Sequence, residues 1–468
     1  MRALAAALLA LFVALNAAWL AQDRLVRDGD EEGHVGAAEL FAWDLGSQRP
    51  GAFLQRALWE DMGDYPSAWP AVVGAWWHVL GGGDPGRPTV RAVSSATLLV
   101  TGMAVTVAAW DSGAAALLAG ASVLFLPLLA GLGRHFMPEG ALAAAVALAV
   151  AAAVHQRRRP TPGRAVLLGL ALALGMLTKQ TFPLYAAVPV ALAVRWKPSL
   201  AWLALGALLA GPWYGHNLAE QLSYGTASAE YQGGASFWDH LLYYPLALVT
   251  LALGPVWSVA LAAAAWSARD SRHRHLARLG LAWLFGGMAL LTLVPKKYDR
   301  LLAPLLPGAG LVLAAGLAAR PRGALLALGG VAWTCWLSFS DDAPHTPPAP
   351  LVDFEPGCLQ VWLRPPQVLD LGFDAVAAQA ETVPYGGVLV LAPPEIPCAV
   401  QTTFGWAYHL GPHLRRAGLE RPIHVDEADG PVTLTIDFRE GVDGEVLAVP
   451  LLGLEARIRR SDSPAPAR

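Results

Sequence analysis

Twelve uncharged, largely apolar runs follow one another through the first 340 residues, and a chain so patterned folds as a bundle of helices in a bilayer. The runs are residues 3–21, 67–83, 92–110, 113–133, 140–154, 165–178, 181–194, 198–215, 241–267, 279–295, 301–319 and 323–340. A spanning helix needs about 20 apolar residues, fewer where neighbours shield it from lipid. Charged residues make up only 15% of the chain, against about 25% in soluble domains. The net charge of -3 leaves no basic surplus for nucleic acid. Residues 3–21 are long for the apolar core of a signal peptide and are read as a retained helix. The expected class is a polytopic α-helical membrane protein.

Charge placement orients the bundle. Residues 156–159 (QRRR), 195–197 (RWK), 269–278 (RDSRHRHLAR) and 320–322 (RPR) are short and basic, hence cytoplasmic. A hairpin of two short helices lies between the first two and turns on the outer side at Lys179 and Gln180. Counting backward puts residues 134–139 outside, Asp111 inside and residues 88–91 outside. The first helix has already delivered residues 27–34 to the outside, so residues 67–83 must not cross. That run contains Pro70, Trp69, Trp76, Trp77 and His78, which suits a helix lying in the interface. Parity then gives eleven spans, a cytoplasmic N-terminus and a long outer loop, 22–88, within a membrane domain of residues 1–340.

Residues 341–350 (DDAPHTPPAP) form a Pro-rich linker, and residues 351–468 have the composition of a small extracytoplasmic α/β domain. Residues 387–392 and 432–438 read as buried strands, and 375–382 and 407–417 as helices. Cys358 and Cys398 both fall in this domain and suggest one disulfide, whereas Cys335 lies within the last span.

Residues 27–34 (RDGDEEGH) place Asp30, Glu31, Glu32 and His34 at the water end of the first span. One reading is a solvated helix start, with Asp30 as N-cap and residues 31–45 helical. The other is a reactive cluster, since residues 60–66 (EDMGDYP) bring a second set of acids into the same loop. Two such sets can share a divalent cation or divide base and metal roles. His34 is a metal ligand beside Asp64 or a partner of the loop backbone. Glu139 is a carboxylate near the metal or a helix N-terminal acid. The outward cations are Arg91, Arg134, Lys179, Lys296, Lys297 and Arg300. Each alone reads as an anchor snorkelling to headgroups. That reading is weaker for Lys179 at its hairpin tip, and for Lys296, Lys297 and Arg300, which oppose the positive-inside bias. His216, Asn217, Tyr243 and Tyr244 read as interface markers.

In order and sidedness these elements resemble the GT-C class of membrane glycosyltransferases, nearest in pattern to the protein O-mannosyltransferases and the aminoarabinose–lipid A transferases. The matching elements begin with Asp30 to His34 after the first span, Asp64-Tyr65-Pro66 before the interfacial helix, and Arg91 with Ser94 opening the next span. Gly133-Arg134 with Pro138-Glu139 follows, then Leu177-Thr178-Lys179-Gln180, Gly211-Pro212-Trp213-Tyr214, and the stretch from Lys296 to Pro304. The family tends to have Asp where Glu139 stands and Gly where Gln180 stands. The resemblance runs from about residue 3 to 340 and implies transfer of a sugar from a polyprenyl-phosphate donor to an acceptor hydroxyl at the outer face. It implies a carboxylate base, Asp30 with Glu31 as the neighbouring candidate, and the six cations as ligands of the departing phosphate. A divalent metal on Asp64, His34 and Glu139 is compatible with this, and no organic cofactor is expected. Low Lys and high Ala, Arg and Gly point to a GC-rich bacterial genome and its inner membrane. The competing class is a secondary transporter or lipid-linked sugar flippase. Against it, the charges lie in loops and at helix ends, and no paired repeats are visible.

Overall fold

The computed structural model describes residues 1–23, 29–59, 66, 68–79, 86–194, 200–230, 237–294, 297–340 and 363–366, together with five strands between 387 and 465. The chain divides into two compact units, Met1–Ala21 with Ala37–Pro365, and Gln22–Gly36 with Pro366–Arg468.

The first unit is helical. Its organising element is α8 (Pro138–Arg158), whose residues from Gly140 to Val154 are mostly Ala and Val. Such a helix can be surrounded on all sides, and α8 is packed by α5 (Gly86–Ala108), α9 (Pro162–Thr178) and α10 (Phe182–Ala193). Small residues bring other pairs close. The backbones of Gly102 on α5 and Gly120 on α6 (Ala114–Val123) abut, leaving no room for a Cβ on either. This is the packing that apolar helices adopt where burial from water supplies no drive.

Four helical segments among the described residues are long and apolar enough to cross a membrane: Arg2–Gln22 (α1), Arg91–Ala108, Pro138–Arg158 and Arg274–Thr292. Two bent pairs raise this to six. In the first, Phe237–Ala252 and Gly254–Ala268 meet at 103°. Gly254 supplies the φ of 68° that this bend requires, a conformation other residues adopt at a cost. Shorter apolar helices, α6, α9 and α10, account for further runs. Unbroken helices are fewer than apolar runs because Pro interrupts several of them. Residues 113–133, for example, divide into α6 and a separate turn at Pro127–Leu132 (α7).

Residues 31–45 are helical as expected, within α2 (Gly29–Gly46), which starts one residue before Asp30. The expected interfacial helix is α4 (Ala68–Val79). Its 12 residues rise about 18 Å, too little to cross about 30 Å of hydrocarbon alone. Trp69 of α4 stacks on Phe136 with centroids 5.5 Å apart, while Val72, Trp76 and Val79 are exposed.

The strands form one mixed sheet in the order β2-β1-β3-β5-β4. β1 (Gly387–Leu391) runs parallel to β2 (Ile423–Val425) and β3 (Val432–Asp437), and β5 (Glu455–Ala465) runs antiparallel to β3 and β4 (Glu445–Ala448). β1 and β3 occupy the two segments read as strands from sequence. The helices expected at 375–382 and 407–417, and Cys358 and Cys398, lie outside the described residues. Cys335 is a free, half-buried thiol on α17 (Ala324–Phe339).

Candidate active site: a buried carboxylate shared by two cations

Three residues far apart in sequence meet at the N-terminal end of α8. Pro138 opens the helix and Glu139 follows in its first turn, where the exposed N–H groups and the helix dipole favour a negative charge. Glu139 is fully buried. Lys179 ends α9, which starts on the Thr161 N-cap and closes with Lys179 N–H bonded to Gly175 O. The turn continues with Phe182 N–H donating to Lys179 O, and α10 leaves at Phe182 and Pro183. Lys179 therefore sits at the hairpin tip, as the sequence indicated, but its side chain is buried rather than snorkelling into water. Its Nζ lies 2.7 Å from Glu139 Oε1.

Arg300 approaches the same oxygen from a third element, a 3-10 helix at Asp299–Leu305 whose residues are all buried. Arg300 Nε is 3.4 Å from Glu139 Oε1, and its guanidinium carbon lies 4.8 Å from the Tyr298 ring centre. Asp299 Oδ1 accepts the Arg300 backbone N–H at 2.7 Å and fixes the start of that helix. One carboxylate and two cations leave the cluster at a formal charge of +1. Glu139 Oε2 is buried and accepts no hydrogen bond among the described residues.

The other candidates are placed differently. Lys297 donates from Nζ to Leu291 O at 3.0 Å, to Thr292 O at 2.9 Å and to Val294 O. It thereby caps the carbonyl end of α15 (Gly287–Thr292). Burial lowers its pKa to about 8. Arg134 is buried, with Nε donating to Asn16 Oδ1 at 2.9 Å and its guanidinium 5.3 Å from the Trp19 ring centre. Trp19 also takes the Arg364 guanidinium at 5.1 Å and donates from Nε1 to Arg364 O at 2.8 Å. Arg91 is buried on α5, as is Ser94 one turn later. Glu31 and His34, which belong to the second unit, are buried. The Asp30 side chain, Asp64 and Lys296 lie outside the described residues.

Among the described residues, no group of three or more His, Cys, Asp or Glu side chains could hold a metal ion. His216 and Asn217 serve packing: Asn217 Nδ2 donates to Trp59 O at 3.0 Å, and the Trp59 and His216 rings meet edge-on.

Sequence reasoning missed Asn16, Trp19 and Arg364. Asn16 carries a signal in itself, as the one hydrogen-bonding amide in residues 3–21. Polar groups inside spans are kept for a partner or a task, and here the partner is Arg134.

No protein-family model and no curated protein matches the sequence. The structure is similar along its whole length to that of ArnT from Cupriavidus metallidurans, solved bound to undecaprenyl phosphate. The TM-score is 0.64 and the identity 13%, over 98% of this chain and 99% of that one. The same protein in its apo state gives a TM-score of 0.62 at 14% identity, covering 97% of each chain. The chain has the fold of ArnT, an aminoarabinose–lipid A transferase of the GT-C class, which is the fold that its ordered motifs resemble.

Proposed function

We propose that this chain is an integral membrane glycosyltransferase that moves a sugar from a polyprenyl-phosphate donor to an acceptor hydroxyl at the outer face of a bacterial inner membrane. The observation that carries this reading is the buried Glu139–Lys179–Arg300 cluster, within a fold whose solved relative holds undecaprenyl phosphate. In the reaction the acceptor oxygen attacks the anomeric carbon, and the bond from that carbon to the phosphate oxygen breaks. The phosphate leaves with the electron pair, and the acceptor proton passes to a carboxylate, for which Asp30 is chosen over Glu31. Lys179 and Arg300 supply the positive charge that the leaving phosphate needs. Placed in a site shielded from water, they act more strongly than they would in bulk solvent.

Glu139 then has a different task from the metal role considered for it. A carboxylate oxygen already facing two cations is a poor ligand for a third, so Glu139 does not fit a divalent metal site. It serves as the counter-ion that allows Lys179 and Arg300 to be buried. Arg91, Arg134 and Lys296 are secondary candidates for the phosphate. Lys297, as a helix cap, contributes to the loop that carries Arg300.

The test uses the full chain in nanodiscs. Binding of undecaprenyl phosphate, and transfer or hydrolysis of a synthetic polyprenyl-phosphate sugar, are compared for the wild type, Lys179→Ala and Arg300→Ala. Loss of donor affinity and turnover together is expected, because the same contacts act on bound donor and departing phosphate. Unchanged affinity and rate in both variants, each with a wild-type elution profile, would sink the assignment.

A further inference from the structure

A cavity lies at the opposite end of α9 from Lys179. It has a volume of about 380 Å³ and is half open, within the range of about 300–1,000 Å³ typical of ligand pockets. Its walls are apolar side chains of α9 and α11 (Leu200–Glu230), chiefly Ala165, Val166, Ala201, Trp202 and Leu205. Gln156 on α8 and Thr161, beside Pro160 in the connection to α9, add polar groups to its lining.

The charge around this rim is predominantly positive, with Asp111 a counter-charge on Arg158. No Asp or Glu occurs in the chain between Glu139 and Glu220, while Arg157, Arg158, Arg159 and Arg164 cluster at the cavity end. Three of these four are engaged by the protein. Arg157 donates to Leu192 O, Arg158 pairs with Asp111 at 2.9 Å, and Arg164 donates to His155 O and Arg159 O. The exposed Arg159, next to the lining residue Pro160, pairs with no carboxylate among the described residues. At the same rim α9 opens with Pro162, which has no N–H, and Thr161 takes the Arg164 N–H, which leaves the Gly163 N–H as the open donor; side-chain atoms added at Gly163 would meet nothing within 4 Å, so an anion can approach it.

We infer that this cavity binds one anionic phospholipid of the cytoplasmic leaflet, with an acyl chain between α9 and α11 and its phosphodiester on Arg159 and the N-terminus of α9. An apolar slot with a guanidinium and the Gly163 N–H at its mouth matches a lipid that carries both a chain and a negative headgroup. The basic segments 156–159 and 195–197 place this end on the cytoplasmic side, where anionic headgroups attract juxtamembrane Arg and Lys. The site is separate from the Glu139 cluster and independent of the transferase reading.

The test is native mass spectrometry of the full chain, delipidated in detergent and titrated with dioleoylphosphatidylglycerol or dioleoylphosphatidylcholine. The wild type should retain one phosphatidylglycerol in preference to phosphatidylcholine. Arg159→Gln should cut that preference about fivefold, as expected for one basic residue near an anionic lipid. Ala165→Phe, which fills the slot, should lower retention of both lipids, and Ala201→Phe on the other wall replaces it should the first variant fail to elute as a single species. Equal retention of the two lipids by the wild type overturns the inference. So does an unchanged preference in Arg159→Gln, or competition by glycerol 3-phosphate at the lipid's own concentration, which would mark an anion site with no use for a chain. None of these readouts involves sugar transfer, so this site and the transferase reading can fail separately.

Discussion

Replacing Glu139 by Gln should weaken the protein and tighten its hold on the donor phosphate at the same time. Glu139 is fully buried, 2.7 Å from Lys179 Nζ and 3.4 Å from Arg300 Nε. The amide keeps an acceptor for Lys179 but removes the negative charge that faces both cations. Removing one partner of a buried ion pair costs about 3–5 kcal/mol, because the remaining charge stays out of water uncompensated. Lys179→Met should cost about 3 kcal/mol by the same reasoning, since Glu139 keeps only the longer contact to Arg300. The double variant removes both members of the short pair, so its cost should fall below the sum of the singles by about 2–3 kcal/mol, within the range seen for residues in one network.

Unfolding of the four proteins in mixed micelles, followed by tryptophan fluorescence, gives this cycle directly. Donor affinity provides the second axis. In Glu139→Gln the formal charge of the cluster rises from +1 to +2, and undecaprenyl phosphate no longer competes with a carboxylate for Lys179 and Arg300. Affinity should therefore rise in Glu139→Gln and fall in Lys179→Met. A coupling below about 0.5 kcal/mol would mean that the pair does not act as a unit. Equal loss of affinity in both single variants would mean that Glu139 holds the site together without competing with the ligand. Either result would refute the counter-ion assignment.

Lys297→Met should destabilise the protein by about 1–3 kcal/mol in the same unfolding assay, the penalty for leaving buried carbonyls without a donor, while undecaprenyl phosphate affinity stays at the wild-type value. Trp19→Ala should cost about 3–5 kcal/mol, as for a large aromatic removed from a packed site; a thermal melt at the wild-type temperature would show that the Arg134 and Arg364 contacts carry no load. His273 is held below its ordinary pKa, chiefly by burial and then by Arg272 and His275, and its Nε2 accepts from Arg272 at 3.0 Å. A histidine depressed in the folded state binds its proton more readily when unfolded, so stability should fall as pH drops below about 6.5, and His273→Gln should flatten that slope. Reporter fusions at Pro88 and Ser461 should both read extracytoplasmic; a cytoplasmic signal at Pro88 would require residues 67–83 to cross.

The sequence indicated the helical class, the hairpin carrying Lys179, and the separate membership of β1 and β3 in a later sheet. All three rest on local patterns: apolar runs, a Lys at a turn before Pro183, and short β-branched segments. Breaks inside the helices were not legible. π turns at Leu248–Ala252 and Ala282–Gly286 lie in apolar surroundings that read as ordinary helix. An i to i+5 turn has no composition of its own, only a shift in register. The contact between Trp19 and Arg364 spans 345 positions, and nothing in either neighbourhood names the other.

Glu139 shows why the hub of the site could nonetheless have been found. It is the one carboxylate between Asp111 and Glu220, on a helix whose other residues permit burial on every side. The nearest cation in sequence, Arg134, is engaged with Asn16 and Trp19, and leaving the acid charged and unpaired inside a bundle costs several kcal/mol. Glu139 must therefore draw a cation from an element distant in the chain. Lys179 satisfies the same condition from the other direction, as a cation on a tip between two apolar helices. The pairing follows from two isolated charges sharing one apolar domain. The fold needs only the pattern of apolar runs and small residues, which many sequences supply, so it is held in common with ArnT at 13% identity. The charges have no such latitude, because each one buried must be answered by another, and the few places where this chain departs from apolar composition are where its chemistry has to be.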